Sequence, residues 1–173
     1  MISIVYVNYK TASLVIDSIK SVKENTTGVD YEIIVVDNAS GDYSLDLIRK
    51  QYPEVICIQA DDNLGFGKAN NLALDQAKGD CILFLNPDTL LLNNALFELY
   101  SFLRSSDKIG ACGGICMMRI ISRQPRLAVN IRLSFGSYYL LCTYRQSLYL
   151  ILDLYFSMFQ INPYGLLLLL VQT

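Results

Sequence analysis

Glu32-Ile33-Ile34-Val35-Val36 runs without a break into Asp37-Asn38-Ala39-Ser40-Gly41-Asp42. Four β-branched apolar residues in a row leave no face for water, as a parallel strand covered on both sides requires. The residues that follow are turn formers. Further apolar runs occupy 2–7, 55–59, 81–85 and, less clearly, 109–112. Between them the apolar positions fall at helical spacing. Leu14, Ile16, Ile19 and Val22 mark a face of 12–24, Leu45, Leu47 and Ile48 a face of 44–51, and Ala69, Leu72, Ala73 and Ala77 a face of 67–78. Gly28, Pro53 and Gly79 supply the stops. Strand and helix therefore alternate over the first 110 or so residues. That order predicts right-handed crossovers and a mostly parallel open α/β sheet with helices on both faces.

Open sheets of this kind gather ligands at the carboxyl ends of their strands. The rule singles out residues 8–11, 37–42, 60–66 and 86–89. Asp37 leaves a buried strand as an acceptor-only carboxylate, able to meet a nucleobase imide N–H or a ribose hydroxyl. It could equally close a turn and cap the next helix. Asp88, in Leu85-Asn86-Pro87-Asp88-Thr89, could offer oxygen to a hard divalent cation with Asn86 beside it, or Pro87-Asp88 could be only a turn. In Asp61-Asp62-Asn63-Leu64-Gly65-Phe66-Gly67-Lys68-Ala69-Asn70-Asn71 the glycines would let backbone approach a ligand at a helix start, with Lys68 near a phosphate. Asn70 stands where a dinucleotide fingerprint has its third glycine, and no Gly-Lys-Ser/Thr of a P-loop is present.

Taken together, in order and in spacing, these segments resemble the family 2 glycosyltransferases, particularly a bacterial rhamnosyltransferase-like branch. The matching residues are Ile4-Val5-Tyr6-Val7-Asn8-Tyr9, Ile34-Val35-Val36-Asp37-Asn38-Ala39-Ser40, Asn63 to Asn71, and Phe84-Leu85-Asn86-Pro87-Asp88-Thr89. The resemblance covers residues 2 to about 114 and implies a GT-A-type, Rossmann-like fold binding a dTDP- or UDP-sugar. It places Val7 and Tyr9 in the nucleobase pocket, Asp37 on the base or ribose, and Asn63, Gly65 and Lys68 along the nucleotide. Asn86-Pro87-Asp88 stands where the family carries its metal-binding D-x-D. Asp88, with Asn86 replacing the first Asp, would thus hold Mg2+ or Mn2+ on the donor diphosphate, offsetting the negative charge that builds there as the sugar leaves. Inversion also requires a carboxylate to take the acceptor proton. The family has it in a later acidic motif that finds no match here, so the catalytic base stays unassigned.

Composition changes near residue 110. Of the 16 acidic residues only Asp153 follows it, whereas Arg119, Arg123, Arg126, Arg132 and Arg145 all do. The organisation expected is a nucleotide-sugar-binding half over 1–114 and an incomplete or diverged tail over 115–173 that meets acceptor or membrane. In that tail 137–159 suits an amphipathic or buried helix. The Leu-rich run 166–171 is too short to cross a bilayer, which takes about 20 residues, so interfacial contact is expected. The arginines suit an anionic lipid or an acceptor pyrophosphate, or simply a solvated face. No basic excess points to nucleic acid. Five cysteines and no histidine exclude a zinc site of ordinary type and suggest buried, reduced thiols. With an N-terminus lacking a charged leader, they suggest a cytoplasmic protein, peripheral at the inner membrane face. The expected activity is inverting transfer of a sugar to a polysaccharide or lipid-linked glycan. The alternative is a non-catalytic remnant that binds nucleotide or membrane. A sugar-nucleotide pyrophosphorylase would want a glycine-rich basic loop after the first strand, and Asn8-Tyr9-Lys10-Thr11 is not one.

Overall fold

The computed structural model describes residues 1–106, 109–113, 116–121, 124–129 and 168–172, the last three segments as backbone. The tail helix expected over 137–159, and Asp153 within it, lie outside the described residues. The elements run β1 (Ile2–Asn8), α1 (Ala12–Asn25), β2 (Tyr31–Asp37), α2 (Ser44–Gln51), β3 (Ile56–Gln59), α3 (Gly65–Leu74), β4 (Cys81–Leu85), β5 (Thr89–Leu91), α4 (Ala95–Arg104), β6 (Ala111–Gly113), β7 (Cys116–Ile121), β8 (Gln124–Val129) and β9 (Leu168–Gln172).

The main sheet has the order β3-β2-β1-β4-β9-β6. Strands β1 to β4 are mutually parallel, as the doubly apolar runs predicted, while β9 inserts antiparallel between β4 and β6. Alternate residues of each strand feed two separate cores. On one face Ile2, Ile4, Tyr6, Ile33, Val35, Leu83 and Leu85 pack under α1, α2 and α4. On the other Val5, Val7, Ile34, Val36, Ile82 and Phe84 pack under α3 through Ala69 and Ala73. The alanines fit α3 close to the sheet. Its helix ends at Leu74, four residues short of the expected 78, because the apolar spacing continues to Ala77 after the backbone has left the helix.

At the amino edge Ser3, wholly buried, ties β1 and β2 to the lead into β4. Its Oγ donates to Glu32 Oε1 at 2.6 Å and accepts the Gly79 N–H at 2.8 Å, and Lys78 N–H reaches the same Glu32 oxygen at 2.6 Å. Gly79 is therefore needed for closeness rather than as a helix stop. A Cβ there would lie 2.6 Å from Ser3 N.

A smaller sheet, β5-β8-β7, sits beside the first. Its β5 is fastened to α1, since Asn25 Nδ2 donates to the Leu91 carbonyl at 3.0 Å and Leu91 N–H to Ser21 Oγ at 3.0 Å. The pair β7–β8 occupies a segment in which the sequence shows no clean period, and its register sets Arg119 opposite Arg126. Cys57, Cys81 and Cys112 are free thiols. Burial pushes Cys81 up to about 11 and Cys112 up to about 12, so both stay protonated and inert. No helix among the described residues is long and apolar enough to cross a membrane.

Candidate functional site

Strands β1, β2 and β3 all end on a polar residue, and register aligns them: Asn8 lies beside Asp37, and Asp37 beside Gln59. This row forms the carboxyl edge of the sheet. Asp37, 2% exposed, receives four donors. Asn8 Nδ2 and Ser40 Oγ each reach Oδ1 at 2.5 Å, and Ser40 N–H and Gln59 Nε2 each reach Oδ2 at 3.0 Å. Burial, the largest single influence, pushes the Asp37 pKa up. The hydrogen bonds from Ser40, Asn8 and Gln59 together outweigh it and hold the carboxyl below its ordinary value.

The network closes on itself. Asn8, wholly buried, accepts Thr11 N–H at 3.1 Å and Thr11 Oγ1–H at 3.0 Å on its Oδ1. Ser40 Oγ accepts Lys10 N–H at 2.9 Å. The sharp turns this demands put Lys10 at φ 58° and Ala39 at φ 60°, both left-handed. Tyr9 is left 45% exposed beyond the strand end, with Lys10 Nζ 5.4 Å from its ring centroid. Val7 sits deeper, 8% exposed in the apolar core beneath α3.

The start of α3 is tied to the same edge by two asparagines. Asn38 Nδ2 donates to Asn63 Oδ1 at 2.9 Å, Asn38 Oδ1 accepts Leu64 N–H at 2.8 Å, and Asn63 Oδ1 accepts Gly65 N–H at 3.0 Å. Gly65 opens the helix at φ 73°, a conformation cheap only for glycine. Lys68 is exposed on the first turn. The positive end of α3 thus faces the edge on which Asp37 stands.

Across β1 from Asp37, strand β4 delivers Asn86-Pro87-Asp88 to that same edge. Two strand spacings, about 10 Å, separate the ends of β2 and β4. Thr89 N–H closes the turn on the Asn86 carbonyl at 3.1 Å. Asp88 Oδ1 and the neighbouring Thr89 Oγ1 are buried and have no hydrogen-bond partner among the described residues. An orphaned carboxylate oxygen is costly unless something binds it, and a hard cation is the matching chemistry. Among the described residues no three His, Cys, Asp or Glu side chains converge. Asp88, with Asn86, would therefore be the protein's share of a metal site, with diphosphate oxygens completing the shell.

Every residue expected at the site is thus at or near one edge. The partners of Asp37, namely Asn8, Ser40 and Gln59, and the Asn38 tie to α3 were not assigned roles from sequence. The available signal was that three apolar strands each stop on a polar side chain.

Comparison with known proteins bears on the family and the fold. Residues 3–157 match the family described as Glycosyl transferase family 2. The chain is 38% identical over 106 residues to a poly(ribitol-phosphate) beta-glucosyltransferase of Bacillus spizizenii, covering 58% of this chain and 17% of that protein. Among solved structures, Staphylococcus aureus TarS in complex with UDP superposes with a TM-score of 0.53 at 26% identity, covering 60% of this chain and 32% of that one. Mannosyltransferase PcManGT from Pyrobaculum calidifontis, in complex with GDP-Man and Mn2+, gives a TM-score of 0.62 at 22% identity over 67% of this chain and 35% of that one. The chain spans about a third or less of the length of these relatives. The parallel sheet, its flanking helices and these matches make the fold GT-A. With a strand-end row, an asparagine-tied helix start and an orphaned aspartate at one edge, and with the family match running over most of its length, this chain belongs to glycosyl transferase family 2.

Proposed function

We propose that this chain supplies the donor-binding part of an inverting glycosyltransferase that moves a sugar from a UDP- or dTDP-sugar to a polysaccharide or lipid-linked glycan. The observation that carries the reading is Asp88 Oδ1, buried and without a partner among the described residues, at the edge where the Asp37 network and the start of α3 also stand. A nucleoside diphosphate lying along that edge would have its base over β2–β3, between Tyr9 and the Asp37 network. Its diphosphate would lie at β4. Val7 forms the floor below Tyr9, and Asn63, Gly65 and Lys68 border the nucleotide. Mg2+ or Mn2+, when bound at Asp88 and Asn86, supplies charge stabilisation to the leaving diphosphate. The described residues bind and orient the donor, and Lys68 and the α3 N-terminus add positive potential beside it.

Relatives of the chain are named for glucosyl, N-acetylglucosaminyl and mannosyl transfer or ligands. They support a hexose-type donor without favouring the rhamnosyl branch. The division into a donor half over 1–114 and an acceptor- or membrane-facing segment after it, working at the inner face of the membrane, rests on the loss of acids and the run of arginines after residue 110; Leu168–Gln172, expected at an interface, instead return as β9 to the sheet of the donor half. Incubation with UDP-glucose, UDP-GlcNAc and dTDP-rhamnose in the presence of Mn2+, followed by measurement of released sugar, tests the reading. Metal-dependent release that Asp88→Ala abolishes is the expected result. Nucleotide binding with no release from any donor would favour the remnant reading.

A further inference from the structure

Strands β5 and β8 run parallel, with Thr89 beside Leu127. Asp88 directly precedes the one and Arg126 the other, so the register carries Arg126 to the level of Asp88, one strand spacing (about 5 Å) away. Arg119 stands directly opposite Arg126 across β7–β8, and opposite residues of an antiparallel pair share a face. Like charges so placed are destabilising. From Lys108 to Leu152 the sequence holds no acidic residue to offset them. Asp88 is the acid that register brings nearest, and one carboxylate shared with a cation does not neutralise two guanidinium groups. The hairpin is built to receive an anion.

Topology says on which side of Asp88 the pair stands. The main sheet runs β3-β2-β1-β4-β9-β6, and β7 begins shortly after β6 ends. From there β8 returns to pair with β5, which follows β4. The hairpin therefore lies on the β4–β6 side of the edge, whereas Asp37 stands two strands from β4 on the other side. A donor with its base at β2–β3 and its diphosphate at Asp88 would carry its sugar toward the arginines, where the acceptor must meet it. We propose that Arg119 and Arg126 form an anion site for a phosphate group of the acceptor, so that the acceptor is a phosphate-bearing polyol or glycan rather than a neutral one. This rests on the donor-binding reading above and deepens it. Phosphate accepts paired N–H bonds from guanidinium groups, and its charge cancels the repulsion that the register imposes.

The test uses the full chain with Mn2+ and UDP, a short glycerol phosphate oligomer as probe and the unphosphorylated polyol as neutral control. Wild type is compared with Arg119→Gln, Arg126→Gln and, as a charge control, Lys50→Gln, Lys50 being exposed on α2. Without ligand and at low salt, each arginine variant melts above wild type, because a repulsion is relieved. Each also binds the oligomer about tenfold more weakly, the worth of one charge-assisted hydrogen bond. Their UDP affinity is unchanged, and Lys50→Gln binds the oligomer as wild type does. A lower melting temperature in both arginine variants overturns the proposal, since protein carboxylates would then already hold the pair. So does an equal loss of UDP affinity, which assigns the pair to the donor diphosphate. Equal binding of the neutral polyol, or equal weakening by Lys50→Gln, overturns it as well. Arginine-dependent binding of phosphatidylglycerol vesicles, with none of the oligomer, overturns it in favour of a membrane surface. A wild type that binds UDP but no oligomer removes the acceptor assignment alone, and one that binds the oligomer but no UDP removes the donor-binding reading.

Discussion

Asp88 holds a carboxylate oxygen that no donor among the described residues reaches, and opposite expectations follow for its removal and for that of Asp37. Asp88→Ala relieves a desolvated, unpaired group, so urea unfolding should give a stability within about 1 kcal/mol of wild type or above it, while donor handling is lost. Asp37 behaves the other way. Asp37→Asn turns one acceptor oxygen into a donor among donors, and a loss of about 2–3 kcal/mol is expected. The pH dependence has a definite sign. The folded-state pKa of Asp37 is lowered, so its stabilisation is complete above the ordinary carboxylate pKa of the unfolded chain and is lost as pH falls through the folded value. Urea melts from pH 7 to pH 3 should show the gap between wild type and Asp37→Asn closing at the acid end. A gap that widens on acidification would show that the network does not favour the charged form. At this scale Asp37 and Asp88 were legible in sequence as candidates because Asp37 ends an apolar run and Asp88 follows one within three residues. Their unlike roles were not, since saturation of one carboxylate and isolation of the other depend on Asn8, Ser40 and Gln59 arriving from two other strands and a turn.

Elements were readable wherever burial imposes a period. Strand β4 and helix α2 fall at the residues expected, and β1, β2 and α1 extend the expected spans by one or two residues. In helix α3 periodicity outruns the backbone, because Ala77 keeps the spacing after the helix has ended and is drawn instead into the turn by bonds to Ala73 and Leu74. The apolar run near the C-terminus carries neither a strand's alternation nor a helix's period, and its place as β9 is set by pairing with β4 and β6 rather than by local signal. Strands β7 and β8 carry no such signal, since Ser122-Arg123 between them is not a glycine-bearing hairpin turn. Gly79 belongs to this scale too. A methyl group 2.6 Å from Ser3 N and 2.7 Å from Ser3 Oγ must push β1 and the lead into β4 apart. Gly79→Ala is therefore expected to cost about 1–3 kcal/mol and to lower the melting temperature, whereas the same substitution at Gly41, where a Cβ meets nothing within 4 Å, strains only the backbone.

For the whole molecule, the sheet places four parallel strand ends on one side and leaves β4 dependent on β9 for its second hydrogen-bonding neighbour. Deleting residues 166–173 should therefore expose β4, whose residues Cys81 to Leu85 are all buried, as an edge. Hydrogen exchange should then show loss of protection in β4 while β2 and β3 remain slow. Unchanged protection would mean that β4 does not rely on that pairing. The functional edge is likewise a property of the assembled sheet, since Asn8, Asp37, Gln59 and Asp88 come from four different strands or their ends. The central claim, that this edge holds a divalent cation on a nucleoside diphosphate through Asp88, is tested most directly by titrating Mn2+ into the protein with and without UDP. Free ion is followed by its electron paramagnetic resonance signal. Uptake of one ion per chain that requires UDP and vanishes in Asp88→Ala is predicted, and uptake indifferent to UDP or undiminished in Asp88→Ala would contradict the account.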